Sequence, residues 1–261
     1  MRNPTAFVRS IHVSKTYREQ SLMKRYRKMN PQRIVGAILF VSLVLSVVYA
    51  FAHFLQAPDT APEGMPHTKV RSDYLLMLTQ CILGLAVMLL PSMINRKWSV
   101  PISRKIYIAY YIFLFCAIFL GEVHDFYYMI PCWDLILHAF SGAMLSALGF
   151  MMVDLLNMNQ KVSVRLSPFF ESVFAFCFAL ALGSIWEIYE FIGDAILGLN
   201  MQKACLADGT LLVGRAALMD TMEDLIIDTV AAAVVALAGY QVNKRKTAAE
   251  ETKRIENPKA C

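Results

Sequence analysis

Charge is scarce in this 261-residue chain: 17% of the residues are Asp, Glu, Lys or Arg, against 57% that are hydrophobic. That balance excludes an ordinary soluble domain of this length. Several nucleotide and hydrolase signatures are also missing. There is no Gly-x-x-x-x-Gly-Lys phosphate loop, no dinucleotide fingerprint, no His-Glu-x-x-His and no Gly-x-Ser-x-Gly, and Ser141-Gly142 alone does not make a serine enzyme. Internal repeats and low-complexity blocks are lacking, and so are the paired mid-span Gly or Pro residues that announce the broken helices of transporters.

What the chain has instead is long apolar runs. They fall near Ile34–Leu55, Tyr74–Ile94, Ile106–Phe126, Trp133–Leu155, Phe169–Ile192 and Leu218–Val242, each long enough to cross about 30 Å of hydrocarbon. The sequence thus predicts an all-α integral membrane protein with six transmembrane helices in one bundle. Residues 1–33 form a basic N-terminal segment, 34–242 the membrane domain, and 243–261 a charged tail expected to fray. The first run follows a basic leader too long for a signal peptide, so it reads as an anchor. All but four of the 25 basic residues fall on one side of this topology, the exceptions being Lys69, Arg71, Lys203 and Arg215. Basic loops stay inside, which predicts that both termini are cytoplasmic. The net charge of +5 is then a topology signal and an attraction to anionic lipid, with no reason to invoke nucleic acid.

Ten of the 20 carboxylates gather where hydrophobic helices meet the opposite, outer face: Glu122, Asp125, Asp134, Glu187, Glu190, Asp194, Asp220, Glu223, Asp224 and Asp228. His124, His138, Lys203 and Arg215 are the cationic residues near them. Carboxylates at membrane depth are costly, and so many together require bound cations or shared protons. In the fourth span Trp133-Asp134-x-x-x-His138 sets a carboxylate and an imidazole one turn apart, and the small Ser141 and Gly142 continue their face and admit a close neighbour. Gly183, Glu187, Glu190 and Asp194 form a stripe on the fifth span. Asp220, Asp224 and Asp228 follow at intervals of four on the sixth, so that Asp228 lies on the order of 12 Å beyond Asp220 toward the bilayer middle.

Structural roles compete with chemical ones. Asp134 and Asp220 open their helices, where a carboxylate caps free amides and suits the helix dipole. Glu122, Glu187, Glu190 and Asp194 lie near C-terminal ends, where the dipole opposes negative charge, so something else must stabilise them. Many carboxylate oxygens with one or two imidazoles and no thiolate suit Mg, Mn, Ca or Fe(II), with Zn a poorer fit. The expected metal ligands are Asp134, His138, Glu187, Glu190, Asp220 and Asp224. Glu187 is a candidate base, Arg215 would receive an anionic part of the substrate, and Glu122, Asp194 and Asp228 are expected in an outer shell or a proton relay. The outer segment Ala195–Ala217, with Gly198, Asp208, Gly209 and Gly214, is either a flexible lid over this region or an idle connector. Cys132 and Cys205, both in outer loops, could join as a disulfide, whereas Cys81, Cys116 and Cys177 are packing residues within spans.

Three motifs carry a resemblance. Trp133-Asp134-x-x-x-His138, Trp186-Glu187-x-x-Glu190 and Asp220-x-x-x-Asp224, in this order between Ile106 and Gly239, resemble the YjdF-like family of bacterial multi-pass membrane proteins. The resemblance implies a bacterial plasma (inner) membrane location and no particular reaction. Three functions remain compatible with the residues: a metal-dependent hydrolase or transferase acting on a lipid or lipid-linked envelope intermediate, a cation- or proton-coupled transporter that uses the acidic stripe, and a metal-stabilised scaffold. Membrane lipid is the implied partner, with a small-molecule or lipid-linked substrate. The oligomeric state is not encoded in any feature of the sequence.

Overall fold

The computed structural model describes residues 31–60, 68–98, 102–158, 166–206 and 210–256. The basic residues before Pro31, Lys161 and Arg165, Asp208 and Gly209, and residues 257–261 lie outside them. Among the described residues the protein is all-helical, with six helices long and apolar enough to cross a membrane.

The first span, α1 (Pro31–Phe54), begins with proline, whose missing N–H costs nothing in a helix's first turn. The second is α2 (Arg71–Val87) followed by α3 (Leu90–Trp98). Pro91 explains the interruption, since it supplies no N–H to the carbonyl of Val87 one turn earlier. The Tyr110 hydroxyl donates to that carbonyl at 2.8 Å and replaces the lost bond. Tyr110 belongs to α4 (Arg104–Leu114), which Ser103 caps by accepting the Ile106 N–H. The third span then continues as a π-helix over Phe115–Val123 and ends before Phe126, earlier than the sequence suggests. Nothing in its composition announces this widening.

A short turn, α5 (Phe126–Met129), leads into α6 (Trp133–Met158). The fifth span, α7 (Pro168–Leu197), starts from a Ser167 cap and stops at Gly198, whose φ of +64° is the left-handed conformation glycine adopts freely. The last span, α8 (Met219–Glu256), overturns the expectation of a frayed tail from Asn243. Its alanines, glutamates and lysines are strong helix formers and carry the helix on through Glu256.

The helices pack as two groups of three spans. Leu39 and Leu43 of α1, Met77 and Cys81 of α2, and Tyr107, Tyr111, Leu114 and Ile118 of the third span make one apolar core. The other group is α6, α7 and α8, packed against one another. Small residues let these three approach closely. A Cβ on Gly149 would lie 2.7 Å from the Ala175 Cα, and Ala175, Ala179 and Ala232 are fully buried between the helices. Ser146 donates to the Ala232 carbonyl at 3.2 Å. The groups meet where the third span and α5 touch α6, including a stacked pair of rings, Phe113 and Phe140. Ile38, Leu45, Val48, Ile185, Ile188, Phe191, Val234 and Leu237 point outward and exposed, an apolar exterior suited to lipid.

Far from the acidic cluster, a polar clamp ties the three helices together. The buried Glu171 of α7 accepts from Asn157 of α6 at 2.9 Å and from Asn243 of α8 at 2.7 Å. Replacing Glu171 with Ala removes both bonds and leaves two side-chain amides without their acceptor. The expected loss is about 2–3 kcal/mol, seen as a lower melting temperature of the detergent-solubilised protein. Melting equal to the parent would mean the clamp contributes nothing.

Candidate cation site

Helical spacing brings the acids of α6, α7 and α8 to one place. His138 is at its centre, held by α6 one turn after Asp134. Its Nδ1 lies 3.3 Å from Asp228 Oδ2. Its Nε2 faces three other carboxylates, 3.8 Å from Asp134 Oδ1, 3.8 Å from Asp224 Oδ2 and 4.0 Å from Glu187 Oε1. Those three separations exceed hydrogen-bond length, so the oxygens surround the nitrogen without being satisfied by it. His138 is 7% exposed, Glu187 5%, and Asp224 and Asp228 2% each, so bulk solvent scarcely reaches them.

The missing partners can be named atom by atom. Both carboxylate oxygens of Glu187, Oδ2 of Asp224 and Oδ2 of Asp220 are buried without a hydrogen-bond partner. An unpaired buried carboxylate is among the most expensive groups a fold can hold. Oxygens of Asp134 and Asp224 with a ring nitrogen of His138 lie within 4.8 Å of one another, a spacing at which one metal ion could be held by all three. With its proton on Nδ1 toward Asp228, the imidazole would offer the Nε2 lone pair to such an ion, the usual arrangement of a histidine ligand oriented by a carboxylate.

Asp228 owes its place to two glycines. A Cβ on Gly142 of α6 would lie 3.0 Å from the Asp228 carbonyl oxygen and 3.1 Å from Oδ1, and a Cβ on Gly183 of α7 would collide with Oδ2. The Ser141 hydroxyl lies 3.4 Å from the same carboxylate and 3.0 Å from the His138 carbonyl. Ser141 and Gly142, noted in the sequence as a face for close approach, therefore receive a side chain of α8. Asp228, expected at one remove, touches His138 directly.

The segment after α7 covers this end. Leu199 and Met201 are buried against Leu76 of α2, with Leu75 and Tyr189 around them. Asp194 accepts the backbone N–H groups of Met201 at 2.7 Å and Gln202 at 3.0 Å, so its carboxylate anchors the cap and does not reach His138. Gln202 donates to Thr221 of α8, and Asn200 exchanges two hydrogen bonds with the backbone of Cys205. From this base Lys203 sends its ammonium to Asp134 and Asp220, the latter at 2.9 Å. Burial works against that charge, but Asp134 and Asp220 outweigh it and hold the Lys203 pKa above the ordinary lysine value. Lys203 stays charged throughout the neutral range. Tyr127 of α5 lies beneath it, ring centroid 5.8 Å from Nζ. Burial, with the charges of Asp134, Glu122, Glu190 and Asp224, pushes the Tyr127 phenol well above its ordinary value, so it remains neutral.

Not every expected residue converges. Glu190 is buried and feels the charges of Glu187, Asp134 and His138. Glu122 stands apart among Lys69, Asp125 and Asp73, with Lys69 and Asp125 paired at 2.8 Å. Arg215 is exposed and makes no ion pair with a described residue. The proposed disulfide does not form: Cys132 and Cys205 are free thiols, and the Asn200 bonds hold Cys205 in the cap while its Sγ faces the Leu206 carbonyl. Sequence reasoning set Lys203 near the acids as one of four balancing cations without naming its partners, and it assigned no role to Tyr127. The one available signal was that Lys203 is the sole lysine between the fifth and sixth spans.

Residues 67–245, which include every residue of this site, match the family described as Predicted membrane protein (DUF2238). The chain belongs to that family. No match is found among the curated proteins or among the solved structures. Sequence, fold and family thus agree on a multi-pass membrane protein, in which the half-buried Asp134 and the buried His138 and Asp224 form a group that could hold a metal.

Gly183→Ala tests the cradle. The added methyl must displace the Asp228 carboxylate, at an expected cost of about 1–3 kcal/mol in thermal or denaturant unfolding. Gly142→Ala, which meets its nearest atoms at 3.0 Å, should cost less. In a double-mutant cycle, Asp228→Ala should relieve part of the Gly183→Ala penalty. Strict additivity of the two would show that they do not share this space.

Proposed function

We propose that this end of the bundle is a divalent-cation centre that faces outward from a bacterial plasma membrane and serves a hydrolase or transferase of a lipid or lipid-linked envelope intermediate. The observation that carries the reading is Glu187, 5% exposed with both oxygens unpartnered, next to a histidine nitrogen ringed by three carboxylates. Asp134, His138 and Asp224 would hold the ion, and Glu187, Glu190 and Asp220 would complete its surroundings. Oxygen-rich ligation with a single imidazole favours Mg, Mn, Ca or Fe(II) over Zn. A bound divalent ion would supply Lewis-acid polarisation of a phosphate or ester oxygen and a water of lowered pKa.

The chain's own residues divide the remaining work. Glu187 is the candidate base, with an oxygen beside the cluster and the Thr221 hydroxyl as its one neighbouring side-chain donor among the described residues. Asp228 holds the His138 ring through Nδ1. Arg215, exposed at the rim, is available to an anionic part of the substrate. The positive-inside bias supports cytoplasmic termini and an outward site, and the three motifs support the YjdF-like assignment within the wider family.

A second reading, a cation or proton path with Asp228 as the deep relay, is favoured by the depth of that residue on α8. Against it, Glu171 is occupied by two amide donors and Asp154 is exposed, so no acidic chain continues toward the other end among the described residues. These observations support a one-sided site.

The double substitution Glu187→Gln with Asp224→Asn should abolish retention of the metal, read by elemental mass spectrometry of detergent-purified protein alongside melting with and without chelator. The parent should carry a stoichiometric divalent ion and melt lower in chelator. Unchanged retention in a well-folded double variant, or a parent that holds no metal and is indifferent to chelator and added divalent ions, would sink the proposal.

A further inference from the structure

Lys203 places one ammonium between carboxylates of two different helices, Asp134 of α6 and Asp220 of α8, over the ring of Tyr127. Two anionic acceptors and an aromatic face are the set that selects a primary ammonium: the oxygens take directed N–H bonds and the ring takes the remaining positive face. This position is distinct from the one around His138. Asp134 turns Oδ1 toward His138 and Oδ2 toward Lys203, so the two positions share a carboxylate and use different atoms of it.

Two observations set the arrangement apart from a plain surface ion pair. Asp220 uses Oδ1 on Lys203, while its Oδ2 is buried with no partner, so the position offers an acceptor that the lysine does not use. Glu187 of the adjoining helix, 5% exposed, lies near enough to Asp220 for the two charges to interact. The cap, moreover, is strained to deliver the ammonium. Lys203 has a φ of +47°, a left-handed backbone that a lysine rarely adopts. The acceptors of the cap's other bonds, Asp194 and Thr221, do not depend on the Lys203 side chain. The side chain can therefore be removed while the cap and the acceptors remain.

We propose that Asp134, Asp220 and Tyr127 form a recognition subsite for a primary ammonium group, filled here by Lys203 as a tethered occupant, and that the ligand able to replace it is a primary amine, either soluble or carried on a lipid headgroup. A lipid that ended in a primary amine next to a phosphate would meet both positions at once, its amine here and its phosphate toward His138. That last step alone rests on the metal reading, and the subsite does not.

Chemical rescue tests the subsite with metal out of play. Lys203→Ala is purified in detergent with chelator and melted with ethylammonium chloride, with tetramethylammonium chloride, which has the same charge and no N–H, and with sodium chloride. Ethylammonium should restore at least half of the melting loss in Lys203→Ala and leave the parent unchanged, and the other two salts should restore none. Adding Asp220→Asn should remove the rescue. In nanodiscs, stabilisation of Lys203→Ala by phosphatidylethanolamine over phosphatidylcholine would assign the amine to a lipid, and rescue by ethylammonium alone would assign it to a soluble ligand. Equal responses to all three salts, or none, would overturn the proposal. If Lys203→Ala does not fold, Lys203→Met keeps the aliphatic stem and is read against the same outcomes. Because chelator is present throughout, failure here leaves the metal experiment to stand or fall separately.

Discussion

A carboxylate taken out of water must find a positive charge, a hydrogen-bond donor or a proton, and this protein withdraws six of them into the space between three helices. Asp134, Glu187, Glu190, Asp220, Asp224 and Asp228 face one imidazole and one ammonium from within the chain. The rest of the structure is organised around that imbalance. Alanines and glycines along α6, α7 and α8 bring the backbones close enough for side chains of all three to meet, and the cap adds the ammonium of Lys203. At the far end the same three helices meet through Glu171, where each carboxylate oxygen has a donor. One end is saturated and the other is short of donors, and that contrast is what marks the latter as the candidate site.

The two helical groups divide the labour accordingly. The first three spans share an apolar core with hardly a polar atom in it. Their contribution to the site comes through the π-helix and α5, which present Tyr127, and through Leu76, on which the cap rests. π-Helical segments occur mostly where function needs an irregular backbone. Here Gly121 lies within the last of the widened turns, and a Cβ at that position would run into the Tyr127 ring. The ring under Lys203 is thus set by the backbone of the third span, outside the group that carries the acids.

Much of this was legible in the sequence, for physical reasons that can be stated. Apolar length fixed the spans, and intervals of four on α6 and α8 fixed which acids share a face, because helical geometry leaves little choice. The depth of Asp228 followed from arithmetic, and the small Ser141 and Gly142 announced a close contact before its partner was known, whereas the part played by Gly183 was not foreseen. Boundaries and loops were less legible. The π-helix has no proline or other breaker to signal it, and the helical tail beyond Asn243 was hidden because charge was read as disorder when its residues favour helix. Asp194 looked like one more member of the stripe, yet backbone amides seven and eight residues onward claimed it. Lys203 sits in an irregular segment with no periodicity, so neither its direction nor its target could be inferred from spacing.

The pair of glycines around Asp228 also limits what this centre can become. With Gly142 on one side and Gly183 on the other, the Asp228 carboxylate already occupies the space a Cβ at either glycine would need, and the added methylene of a glutamate would have to press on those backbones. The residue that steadies His138 can change its charge, as aspartate to asparagine, far more readily than its length. The imidazole is therefore held at a distance set by backbone packing, and any drift in its chemistry must come through protons and bound ions, with the position of the ring left as it is.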